Sequence, residues 1–124
     1  MSKLEEKLAF QMKAIGLRSF VREHRFAAEH VGMGKGLRDR LAQARLRDWR
    51  FDMAIPELKI AIEVEGGGWT GGRHTRGKGF SEDLRKYGEA MKLGWNIYRC
   101  DGALIDSGCA LETIVCLIKS AQKA

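Results

Sequence analysis

Proline is nearly absent from this sequence, and the single one, Pro56, stands between two apolar segments. A chain with so little proline has no stiff extended linker and no proline-rich recognition tract. Cysteine is also scarce: Cys100, Cys109 and Cys116 are odd in number and form no C-x-x-C pair, which argues against a zinc site and a disulfide framework. Reduced, partly buried thiols are expected instead. No apolar run approaches the roughly eighteen residues of a membrane span. The opening segment MSKLEEKLAF lacks the apolar stretch of a secretion signal, so a cytoplasmic protein without a membrane partner is expected. A nucleophile elbow is missing. The glycine-rich stretch GGGWTGG lacks the G-K-[ST] ending of a phosphate-binding loop, and nothing calls for a small-molecule substrate or an organic cofactor.

The 124 residues suit a single domain, and 44% hydrophobic residues are enough for one core. The charge is uneven. Of a net +6, residues 34–50 carry +4 and residues 69–80 carry +3, leaving the remainder at −1. Excess positive charge confined to two segments is what a polyanionic partner such as DNA requires, although basic loops also serve solubility.

Ser2 followed by Glu5 forms a capping-box pattern, and Leu4, Leu8, Met12 and Ile15 recur at helical spacing, which predicts a helix over 3–15. Residues 19–27 read as a strand with Phe20, Arg22, His24 and Phe26 on one side, 32–36 as a loop, and 37–46 as a short basic helix. Residues 48–54 and 58–65 read as an antiparallel hairpin around Pro56. The stretch 66–79 holds seven of the fifteen glycines and reads as a loop. Ser81 then caps a helix whose buried face is Leu84, Tyr87 and Met91, ending at Gly94. A strand follows from Trp95 to Cys100, and Ser107 caps a last helix with Leu111, Ile114, Val115 and Ile118 inward. Trp49 and Trp95 are expected in the core. The expected fold class is α/β, in the order α-β-(α)-β-β-α-β-α, as one domain over 1–124 with a basic helical insertion at about 32–47.

The hairpin gathers acids. Side chains alternate along a strand, so Lys59, Ala61, Glu63 and Glu65 share one face. A two-residue turn places Asp52 diagonal to Glu63, and a four-residue turn places it directly opposite. Either register puts the pair on one face, about 5–8 Å apart. Carboxylates held so close raise each other's pKa, and a hard divalent cation relieves the crowding. Strand-end acids matched with Arg50, Lys59 or Arg73 are the alternative.

The stretches RFDMAIPELKIAIEVEGGGW and GRHTRGKGFSEDLRKYGEAMKLGWNIYR resemble the PD-(D/E)XK nuclease superfamily. Within it, they are similar to the small group related to very-short-patch repair endonucleases and phage-type Holliday junction resolvases. An Asp after a basic-aromatic strand, an E-x-E on the next strand, a glycine-rich loop with a histidine, a D-x-x-K helix and the strand GWNIYR follow in the family's order. The resemblance implies a restriction-endonuclease-like core, with a mixed four-stranded sheet flanked by helices. It implies a Mg²⁺-dependent DNA endonuclease, with Mn²⁺ able to substitute.

Carried over by position, the metal ligands are Asp52, Glu63 and Glu65. Glu65 stands where the family usually has a lysine, and Lys86 is the candidate to replace it. Glu5 either reaches the metal site or only caps its helix, with Glu6 as the fallback. His74 is a candidate general acid or phosphate contact. Arg73, Arg76 and Lys78 are candidate phosphate clamps, and Trp69 either stacks on a base or anchors the loop. In the insertion, Arg38, Arg40, Arg45 and Arg47 add a further DNA-facing surface.

Structured repair or recombination DNA is the expected substrate: a branched junction, a mismatch or a single strand, cut with low sequence specificity. A homodimer would suit paired cuts on a junction and a monomer would suit nicking. Phage or prophage origin fits the group. Two rivals stay open, a catalytically inactive nucleic-acid-binding module of the same fold and a phage-type protein-binding adaptor.

Overall fold

The computed structural model describes residues 2–66 and 80–123, together with the backbone but not the side chains of Lys78 and Gly79. Helix α1 (Lys3–Ala14) begins where the sequence predicts. The Ser2 hydroxyl accepts from the Glu5 backbone N–H at 3.1 Å, which satisfies one of the donors a helix start leaves free. Strand β1 (Val21–His24) is shorter than the predicted strand, because the chain turns at Arg25 into helix α2 (Phe26–Val31). Phe26 and the small Ala27 and Ala28 are all buried, and this apolar triplet favours a helix packed on the sheet over a continued half-exposed strand. Helix α3 (Leu37–Gln43) is the predicted basic helix.

Strands β2 (Phe51–Ile55) and β3 (Ile60–Glu65) are joined by a single 3₁₀ turn over Pro56–Leu58 and by Lys59, which sits at φ 56°. Proline suits the first position of that turn, since its missing N–H would be unpaired there. Helix α4 (Lys78–Lys92), strand β4 (Asn96–Asp101), helix α5 (Gly102–Asp106) and helix α6 (Cys109–Lys123) complete the chain. Helix α4 starts before Ser81, so Ser81 lies inside it and is not its cap. The predicted last helix is α6, and the short helix α5 before it is not expected from the sequence. Ser107 ends α5, and its hydroxyl accepts from the Cys109 N–H at 3.2 Å.

The sheet runs β1-β2-β3-β4, with β1, β2 and β3 antiparallel and β4 parallel to β3. The result is an α/β protein with an open, mixed four-stranded sheet flanked by helices. On one face Met53, Ile55, Ile60, Ile62 and Cys100 pack against Leu8 and Met12 of α1, Ile105 of α5 and Ile114 of α6. On the other, Phe51, Ala54, Ala61 and Trp95 pack against Phe26, Leu41, Leu46 and Ala90. Trp95 lies in this second core as expected, and Trp49 is packed at its margin. The three cysteines are free thiols, Cys100 buried and the other two exposed. Among the described residues no helix is long and apolar enough to cross a membrane.

The phase of α4 differs from expectation. Leu84 and Met91 are 59% and 66% exposed, while Ala90 is fully buried and Lys86 and Leu93 point inward. The sheet explains the rotation. Below α4 lie the small Ala54 and Ala61 and the acidic Glu63, so over them the helix presents the small Ala90 and the cationic Lys86, and Leu84 and Met91 turn outward.

Candidate active site

The β2–β3 pairing fixes the geometry. Met53 lies opposite Ile62 and Ala54 opposite Ala61, the register of the longer turn. One residue further, Asp52 faces Glu63. The β1–β2 pairing sets Arg22 opposite Met53 and His24 opposite Phe51, so Glu23 lies opposite Asp52 on the other side. Glu63 is paired with Arg99 of β4. A row of four ionisable residues, Glu23, Asp52, Glu63 and Arg99, therefore crosses the whole sheet, one from each strand.

Side chains take over from the backbone at the centre of this row. The Asp52 N–H donates to Glu63 Oε2 at 2.8 Å, and the Val64 N–H donates to Asp52 Oδ2 at 2.7 Å. Each carboxylate thus satisfies a strand donor that would otherwise be buried unpaired. These bonds fix both acids more tightly than surface acids would be.

Glu63 is almost fully buried, at 5% exposure. Lys86 donates to its Oε1 at 2.5 Å and the Tyr87 hydroxyl donates to the same oxygen at 3.1 Å. Burial nonetheless pushes the Glu63 carboxyl above the ordinary range. The Lys86 charge and the hydrogen bonds from Lys86 and the Asp52 N–H oppose that rise, and the Asp52 charge adds to it. Burial likewise drives the Tyr87 phenol well up, with the Glu63 charge next, so it stays a neutral donor. Lys86 also lies 5.7 Å from the centre of the Phe51 ring. Lys86, the residue of α4 singled out in the sequence, therefore meets the buried acid.

The Asp52 carboxylate looks towards α1. Carboxylate oxygens of Glu5, Glu23 and Asp52 all come within 4.8 Å of one another. Glu5 is lifted above its ordinary pKa by burial first, then by Asp52 and by Glu23, against the pull of Arg22 at 3.7 Å. Glu5 donates its N–H to the Ser2 cap, and its carboxylate, which accepts from the Ser2 hydroxyl at 3.4 Å, also comes beside Asp52 and Glu23. Glu6, the fallback, turns to Arg22 at 3.0 Å.

The predicted trio Asp52, Glu63 and Glu65 is not assembled as one group. Glu65 sits two residues beyond Glu63, about 7 Å along the strand. There Arg99 donates to it at 3.2 Å, and Arg99 also lies over the Tyr87 ring at 4.9 Å. The third and fourth carboxylates come from α1 and β1 instead. Nothing in the sequence singles out Glu23. A lone acid in a short edge strand carries no signal until the β1–β2 register is known, and its φ of 50°, unusual for a strand residue, is equally invisible.

Trp69, Arg73, His74 and Arg76 lie outside the described residues, as does the side chain of Lys78. In the insertion, Arg38 and Arg45 are exposed. Arg40 is not available to a phosphate. Its guanidinium donates to the carbonyls of Val31, Gly32, Met33, Gly34 and Lys35 and so fastens the turn between α2 and α3.

Hard carboxylate oxygens crowded around Asp52, with Glu5 already raised in pKa by burial and by its acidic neighbours, are a donor set suited to Mg²⁺ or Mn²⁺. No protein-family model, curated protein or solved structure matches this chain.

Proposed function

We propose that the chain is a Mg²⁺-dependent DNA endonuclease of the PD-(D/E)XK class, acting on structured repair or recombination DNA. One observation carries the reading: Asp52 and Glu63 lie opposite each other at the centre of the sheet, each tied to a backbone N–H beside the other, with Lys86 on Glu63 and Glu5 beside Asp52. The strand order, with β4 parallel to β3 after an antiparallel meander, agrees with the restriction-endonuclease-like core that the sequence resemblance implies.

Asp52, Glu5 and Glu23 would hold the ion. Mg²⁺ bound there supplies charge stabilisation at a phosphoryl oxygen and lowers the pKa of a water. The chain's own groups do the rest. Val64 and Asp52 amides orient the two central carboxylates. Lys86 offsets the charge of Glu63 and brings a cation to a site whose strand motif lacks one. Tyr87 fixes the rotamer of Glu63.

The test is Mg²⁺-dependent cleavage of a panel holding a four-way junction, a mismatched duplex, single strands and linear duplex. Cleavage of at least one member, abolished by EDTA and by Asp52→Asn, is the expected result. An unchanged rate in Asp52→Asn would refute the assignment.

A second reading has its own support. Lys86 on Glu63 and Arg99 on Glu65 already neutralise two of the three acids that the family would give to the metal. A nucleic-acid-binding module of the same fold would show this pairing, and it would bind the panel without cutting any of it.

A further inference from the structure

A groove of about 570 Å³ opens between α3, the segment that follows it and α4. Leu37, Leu41 and Leu46 form its floor, and Arg38, Arg45 and Arg85 stand around it. Arg47 also lines it. Asp48, the one carboxylate among the described lining residues, is already held by Arg25 at 2.6 Å and 3.0 Å, so it does not offset the four guanidiniums. Glu82 shares itself between Arg47 at 3.4 Å and Arg85 at 3.5 Å. Arg38 and Arg45 have no ion-pair partner among the described residues. Arg85 is held in place by the Arg45 carbonyl, at 3.3 Å, and by the Trp49 ring beneath it, at 5.5 Å.

From this groove we infer a binding site for an unpaired nucleotide of a single-stranded DNA segment. The inference rests on the nuclease reading above for the choice of DNA as partner. Two features together select the ligand. A rim of guanidiniums matches phosphates, and a floor of leucines matches the face of a base. A duplex hides its base faces in the stack. It would use the rim and leave the floor wet, whereas an unpaired nucleotide uses both. An acidic peptide would also use only the rim.

The groove is coupled to the acidic site through α4. Arg85 faces the groove and the next residue, Lys86, holds Glu63. A strand seated on the arginines is thus anchored by the same helix that carries the lysine of the site. The basic insertion then holds the unpaired strand beside the position of cleavage.

The test uses the full chain in EDTA, so that binding is read without cutting. Fluorescence anisotropy with labelled oligothymidylate is compared with a blunt duplex for the wild type and for Arg38→Gln/Arg45→Gln. Both arginines are exposed, and thermal melting checks that the double variant folds. The wild type is expected to bind the single strand more tightly than the duplex. The double variant should lose about tenfold in single-strand affinity, with a log–log salt slope shallower by about 1.4. The duplex should lose less. Equal affinity of the double variant and the wild type for the single strand would overturn the inference. So would an equal loss on the duplex, or displacement of the oligonucleotide by polyglutamate as readily as by unlabelled single strand. The nuclease reading fails separately, if the wild type binds but cuts nothing when Mg²⁺ is restored. The groove fails alone, if cutting persists while the double variant binds single strands unchanged.

Discussion

Asp52 and Glu63 replace a rung of the β2–β3 ladder with their own carboxylates: the amide of Asp52 donates to Glu63, and the amide of Val64 donates to Asp52. The strands are held at this point by the groups proposed to do the chemistry. A substitution there acts on stability and on activity at once, and the two effects separate by choice of replacement.

Asp52→Asn keeps an oxygen that can accept from Val64, so the fold is expected to persist with a small loss of stability. Asp52→Ala leaves the Val64 N–H without its acceptor and should cost about 1–3 kcal/mol in urea unfolding. Both variants should lose cleavage by more than about a hundredfold, since each removes the proposed metal ligand. Equal stability of the two variants would show that the bond to Val64 contributes nothing.

Lys86→Met removes the cation from a nearly fully buried acid. Breaking a buried pair from one side costs about 3–5 kcal/mol, because the remaining charge is stranded. Glu63→Gln in the same background should restore most of that loss, since the neutral amide has no charge to strand. A double-mutant cycle by urea unfolding measures the coupling, and additive single effects would mean that the pair is not formed.

Glu5 and Glu63 both have pKa values raised above 4.5 in the folded chain. Between 4.5 and the raised values these two groups bind more protons in the folded state than in the unfolded state, so their contribution to stability is full below this window and falls as pH rises through it. Glu5→Gln should flatten that fall. Mg²⁺ should raise the melting temperature above the window and lose its effect as pH drops towards 4.5, where protons compete for the same oxygens. A Mg²⁺ effect independent of pH, or unchanged in Glu5→Gln, would place the ion elsewhere.

Arg40 and Arg38 stand two residues apart in α3 and should behave oppositely. Arg40→Ala strips five carbonyls between Val31 and Lys35 of their donor and should destabilise by about 1.5–3 kcal/mol. Arg38→Ala, exposed and without an ion-pair partner among the described residues, should stay within about 0.5 kcal/mol of wild type. Urea unfolding of the two single variants decides between these outcomes.

The sequence by itself determined the elements whose signals are local. The capping box at Ser2 and Glu5, the proline between two apolar strands, and the alternation that puts Glu63 on the opposite side from Ile62 and Val64 are all legible within a few residues. The resemblance in motif order points to Lys86, and the structure places that residue on Glu63. What the tertiary structure decided is long-range. The rotation of α4 buries Lys86 and Ala90 and exposes Leu84 and Met91, because a helix phase is set by the surface beneath it, here two alanines and an acid, and not by its own hydrophobic count. The carboxylates around Asp52 are Glu5 and Glu23 and not Glu65, because strand register and the docking of α1 fix which acids meet, while Glu65 lies too far along its strand and beside Arg99. Periodicity tells which way a side chain points, but only packing between distant segments tells what it finds there.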